Sequence, residues 1–180
     1  GNLLDMSRIE AGVLRPQRSW NILEEITGGV IVRLKRTNPG CDIHTHFSPD
    51  LPMLPVDYGL MEQVFANLLS NSLKYSPPGK PVRVEADWRD PVTLWVRVIN
   101  QGPPIPADDL ERIFDKFYRT GSRERTTSTG LGLSICKGII EAHGGRIWAE
   151  NLTDGTAFNF TLPLTVDGMP PRVPPELDQS

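Results

Sequence analysis

Helical and extended periodicities do not alternate one for one along this chain, and that order of elements limits its fold more than any other feature. A helical pattern at 21–36 and a longer one at 58–75 flank a single extended stretch at 42–47. Two extended runs then follow back to back, 82–88 and 92–99, with Arg89-Asp90-Pro91 as the hairpin turn between them. Helical segments at 107–114 and 131–143 come next, and strands at 146–151 and 156–162 close the pattern. A doubly wound parallel sheet needs a crossover between every pair of strands, which this order does not supply. It specifies instead an α/β two-layer sandwich, with a mixed, mostly antiparallel sheet and helices on one face.

The punctuation supports these boundaries. Asp57 can cap the helix at 58–75, and Pro77-Pro78-Gly79 stops it. Within it Met61, Val64, Phe65, Leu68 and Leu69 form one apolar stripe. Gly144-Gly145 is a stop signal for 131–143. Gly28-Gly29 weakens 21–36, because each glycine costs about 1 kcal/mol in a helix interior. Leu3, Leu4, Met6 and Ile9 predict a helix over 2–11 that reads as the end of a longer one. The expected organisation is therefore a helix end at 1–15, one domain at 16–165 and a disordered proline-rich tail at 166–180.

Composition excludes several classes. A formal net charge of −3 does not suit a nucleic-acid binder, which needs a basic surface for phosphates. No apolar run approaches the ~18 residues of a membrane span. Cys41 and Cys136 are too few for a disulfide scaffold, lack zinc spacing and read as reduced thiols of a cytoplasmic protein. Cys136 falls at an apolar helical position, as a core residue does.

Three blocks carry chemistry. In Asn67-Leu-Leu-Ser-Asn71-Ser-Leu-Lys74-Tyr75, the residues Asn67, Asn71 and Lys74 share one side of the helix beside the apolar stripe. A solvated polar face explains this pattern, and so does a metal–phosphate site: a carboxamide oxygen is a hard ligand suited to Mg²⁺, and Lys74 one turn on suits phosphate. The second block, Asn100-Gln-Gly102-Pro-Pro-Ile105, ends a strand. The third, Thr129-Gly130-Leu131-Gly132-Leu133, opens a helix, where exposed N–H groups and the helix dipole favour an anion.

Taken in order, these blocks resemble the nucleotide-contacting N, G1 and G2 boxes of the catalytic domain of two-component sensor histidine kinases, a member of the GHKL (Bergerat) group. Ile113-Phe-Asp-Lys-Phe117-Tyr-Arg119 resembles the family's F box, and the resemblance covers about residues 20–164. Trp20, Leu54-Pro-Val-Asp57 and Ala142-His-Gly-Gly-Arg-Ile-Trp148 are most similar to potassium-responsive sensor kinases. The resemblance implies ATP and Mg²⁺ as ligands, with Asn71 on the metal. Asn67, Lys74, Tyr75, Asn100, Gly102, Ile105, Arg119, Thr129, Gly130, Leu131, Gly132 and Leu133 would contact the nucleotide, and Asn67, Asn71 and Lys74 would serve catalysis. It also implies an arginine-bearing lid at 119–129, with Phe114 and Phe117 as core anchors.

This chain departs from the family pattern at two base-recognition positions: Asn100 stands where the family has aspartate, and Pro104 where it has glycine. Ser128 replaces a further common glycine before the third block. Asn67 stands where related gyrase-type and chaperone-type ATPases place a glutamate base, and an amide cannot take a proton from water. That favours holding ATP for transfer over hydrolysing it.

None of His44, His46 and His143 fits the phosphoacceptor, which in the family lies on an upstream helix. His44 and His46 share a strand face without a third metal ligand nearby, and His143 falls where a helix dipole favours a cation. The expected partners are a dimerisation/phosphoacceptor domain within a homodimer and a response regulator, with no nucleic acid and no membrane contact by this stretch. The expected setting is the cytoplasmic part of a membrane-anchored sensor. A degenerate regulatory module that binds ATP weakly or not at all is the alternative, and a hydrolysing ATPase a third.

Overall fold

The computed structural model describes residues 7–9, 12–116 and 132–166. After a short strand β1 (Ser19–Asn21) come helix α1 (Leu23–Thr37), β2 (Ile43–Phe47), β3 (Leu54–Val56), α2 (Tyr58–Tyr75), β4 (Val82–Asp90) and β5 (Thr93–Asn100). Helix α3 (Gly132–Ala142) and the hairpin β6 (Arg146–Leu152) and β7 (Gly155–Pro163) complete the order. Residues 7–9 are helical; the rest of the helix expected at 2–11, and residues 167–180 of the tail, lie outside the described residues.

Five strands form one sheet in the order β2-β4-β5-β7-β6. Only β2 and β4 pair in parallel, because α2 lies between them as the crossover; the other pairs are antiparallel. The mixed, mostly antiparallel sandwich expected from the element order is the fold observed. The strands β1 and β3 form a separate antiparallel pair, Ser19 opposite Val56, that the sequence pattern did not suggest. Three residues are too few for a period, and Pro55 in β3 argues against a strand interior.

Helix α2 matches its sequence signal at both ends. Asp57 caps it by accepting the Leu60 N–H at 3.1 Å, and its apolar stripe is fully buried. Phe65 from that stripe meets Phe160 of β7 edge to face at 5.6 Å. Ile135, Cys136, Ile139 and Ile140 of α3 add to the same core. The helix expected at 107–114 is instead two 3₁₀ turns, Ala107–Asp109 and Arg112–Phe114. The chain draws inward where Ile113 and Phe114 both bury, and Phe114 stands edge-on to Phe158.

His143 also departs from expectation. It is buried, with Nε2 accepting the Asp57 N–H at 3.0 Å and Nδ1 donating to the Ile139 carbonyl at 2.8 Å. Both ring nitrogens are spoken for only in the neutral form, and burial lowers the imidazole's pKa, so no cation faces the helix dipole here. The ring ties the end of α3 to the cap of α2.

Register decides what the sheet presents to the helices. Val96, Phe160 and Ile147 lie side by side across β5, β7 and β6, and Val98, Phe158 and Ala149 form the next row. One step further the row turns polar: Asn100, Thr156 and Asn151. That polar row closes this end of the sheet.

Candidate nucleotide site

Helix α2 gathers the first two blocks and the described end of the third, Gly132 and Leu133, along one side. Near its middle the half-buried Asn67 donates through Nδ2 to the Gly132 carbonyl, at 3.3 Å, at the first residue of α3. The same side chain reaches the Cys136 thiol one turn further along α3. Burial pushes that thiol up to about 12, only partly offset by the Asn67 bond, and its Sγ lies 3.7 Å from the Val64 carbonyl. Cys136 is therefore the inert core residue its position suggested. Asn67 is lodged between two helices, and this ties the first block to Gly132 of the third.

At the end of α2 the second block closes in. Gly102 is buried so tightly that a Cβ there would collide with the Tyr75 carbonyl oxygen and with Asn100 Oδ1. Only glycine allows this approach. Asn100 is 3% exposed, and its Oδ1 accepts the Gly102 N–H at 2.9 Å. The eight helical steps from Asn67 to Tyr75 span about 12 Å, so the glycine-opened helix and the Gly102 loop stand at opposite ends of one strip. Asn71, half-buried, and Lys74, exposed, lie between them. Lys74 Nζ sits 5.6 Å from the centroid of the Tyr75 ring, a cation–π contact at the surface.

Gly132 and Leu133 are half-buried at the start of α3. Arg119, Thr129, Gly130 and Leu131, together with Phe117 and the lid expected at 119–129, lie outside the described residues. Two hollows among the described residues lie elsewhere. One, of about 470 Å³, is a trough on the sheet face opposite the helices, lined by His46, Glu85, Asp87, Trp95 and Arg97. The other, of about 390 Å³, lies between residues 8–17 and the start of α2.

The pattern of residue types did not reveal what braces the Gly102 loop. Asn151 Oδ1 accepts the Ile105 N–H at 2.9 Å, and its Nδ2 donates to the Ile105 carbonyl at 2.7 Å. Thr156 Oγ1 donates to the Pro103 carbonyl at 3.4 Å, and Gly155 lies directly against the Asn100 carbonyl, leaving no room for a Cβ. The available signal was the register across three strands, which no single strand spells out. His44 Nε2 lies 2.7 Å from an Asp42 oxygen, and among the described residues no group of three His, Cys, Asp or Glu is placed to hold an ion. No helix among the described residues is long and apolar enough to cross a membrane.

Comparisons with known proteins find sensor histidine kinases. Sensor protein KdpD of Escherichia coli (strain K12) is 36% identical over 165 residues, covering 90% of this chain and 18% of KdpD. The chain thus spans about a fifth of the length of the KdpD relatives and less than half of the length of the other curated relatives it matches. Among solved structures, the catalytic domain of histidine kinase ThkA superposes with a TM-score of 0.73 at 31% identity, covering 82% of this chain and 95% of that domain. ThkA in complex with response regulator protein TrrA gives 0.72 at 27% identity, covering 91% of this chain and 47% of the ThkA chain. The family described as "Histidine kinase-, DNA gyrase B-, and HSP90-like ATPase" matches residues 56–166, more than half of the chain, and this chain belongs to that family.

Proposed function

We propose that this chain is the ATP-binding catalytic domain of a sensor histidine kinase, and that it presents the γ-phosphoryl group of ATP to a histidine on a dimerisation domain. The observation that carries this reading is the meeting of Gly132 and Gly102 with the two ends of one strip of α2, at Asn67 and Tyr75. The base lies at the Gly102–Ile105 end beside Asn100 and Tyr75, and the phosphates lie at the start of α3. Thr129, Gly130, Leu131, Gly132 and Leu133 are assigned to the phosphates through their backbone N–H groups, since a helix start favours negative charge. Arg119 is assigned to the same phosphates as a source of positive charge.

The half-buried carboxamide of Asn71 suits Mg²⁺, which favours hard oxygen ligands and few protein groups. The ion, when bound, neutralises charge on the phosphate oxygens. Lys74 adds a point charge, and Asn67 holds the two helices in register. Transfer then depends on orientation and charge: an imidazole nitrogen attacks phosphorus in line, and the bond to the β–γ bridging oxygen breaks, leaving ADP. Asn67 cannot accept a proton from water, so the isolated chain releases phosphate slowly. A response regulator as the next acceptor is in keeping with the ThkA–TrrA complex, and a cytoplasmic setting in a membrane-anchored sensor fits the same role.

Calorimetric titration with ATP and ADP, with and without Mg²⁺, tests the reading. Expected is saturable, Mg²⁺-strengthened binding that Asn71→Ala weakens. An absence of heat at millimolar nucleotide would leave only the degenerate, regulatory alternative. Transfer of labelled γ-phosphate to an added dimerisation domain tests the kinase step.

A further inference from the structure

The loop at 101–106 is gripped from outside the three motif blocks. Asn151, next to last in β6, spends both ends of its carboxamide on one residue, taking the Ile105 N–H and binding the Ile105 carbonyl. These residues are 46 apart in sequence, so this is a long-range clamp on a peptide unit. Few other groups in the loop can be held in this way. Pro103, Pro104 and Pro106 have no N–H, and the Gly102 N–H is already taken by Asn100. Ile105 is thus the amide by which the proline run can be fixed. Thr156 on the Pro103 carbonyl and Gly155 under Asn100 press the same loop from the same side. On its other side Gly102 is packed against the Tyr75 carbonyl.

We propose that Asn151 is a positioning residue of the nucleotide site: it sets the Gly102–Ile105 loop against the end of α2 and so fixes the wall on which the base rests. This rests on the reading that the base lies at that loop. Asn151 acts through Ile105 and does not itself meet the ligand. Its loss is therefore felt by the base, and not by the phosphates, held about 12 Å along α2.

The test uses Asn151→Leu, which removes both bonds, and Asn151→Asp, which keeps the acceptor for the Ile105 N–H. The full chain is titrated with Mg-ATP and with inorganic tripolyphosphate, and hydrogen exchange is followed at the Gly102 amide. Asn151→Leu is expected to weaken Mg-ATP by about 5- to 30-fold, leave tripolyphosphate unchanged and speed exchange at Gly102. Asn151→Asp should fall between it and the wild type. Unchanged Mg-ATP affinity in Asn151→Leu overturns the proposal, as does an equal loss for both ligands, the mark of general destabilisation. A wild-type chain that binds neither ligand, or both equally, defeats the reading of a base site instead. Exchange at Gly102 then decides the clamp alone: faster in Asn151→Leu upholds it, unchanged rejects it.

Discussion

The Asn100 side chain has one carbonyl oxygen, and the structure shows it already accepting a bond from the Gly102 N–H. A carboxylate would keep a second acceptor, and a charged one, for a base amino group; hydrogen bonds to charged groups contribute about 1.5–3 kcal/mol against about 1 for neutral ones. Pro104 further removes an N–H from the same loop. Replacing both (Asn100→Asp with Pro104→Gly) is expected to tighten Mg-ATP binding by about 5- to 150-fold, and calorimetry showing no gain would refute the base-recognition argument. Ser72, a turn from the end of α2, raises a separate point. Its hydroxyl is buried with no hydrogen-bond partner among the described residues. Ser72→Ala should therefore raise stability by about 1 kcal/mol, read from denaturant unfolding.

At the level of elements, α2 and α3 are held by Asp57 and His143 as much as by their apolar faces. Asp57 accepts both the Leu60 N–H and the Gln17 N–H, and His143 binds the Asp57 N–H in turn. The imidazole's pKa is lowered on folding from the ordinary 6.5, chiefly by burial, so the unfolded chain binds the extra proton first. This contribution is complete above about pH 6.5 and is lost as pH falls below it. Thermal unfolding between pH 7.5 and 5 should show that loss, and His143→Gln should flatten the slope. In α1, Gly28 has open space where a Cβ would go, so Gly28→Ala should stabilise by up to about 1 kcal/mol in the same assay. The long helix α2 was legible to the residue because cap, stripe and stop all agree. The Asn151 clamp and the β1–β3 pair were not, since each depends on strand register that local pattern does not contain. The same holds for His143, whose partner lies 86 residues away.

Across the whole molecule, the helices cover one face of the sheet and the strip along α2 lies on that side. If Mg-ATP binds only the folded chain, ligand at a hundred times its dissociation constant adds about 2.7 kcal/mol of stability, visible as a higher unfolding temperature. The opposite face carries Trp95 and Trp148, edge to face at 5.5 Å, with Arg146 stacked 4.9 Å from the Trp148 ring. Half of the chain's four tryptophans are thus paired on the side turned away from the strip. Their emission follows melting of the sheet while staying largely dark to ligand, so a flat fluorescence titration would say little about occupancy.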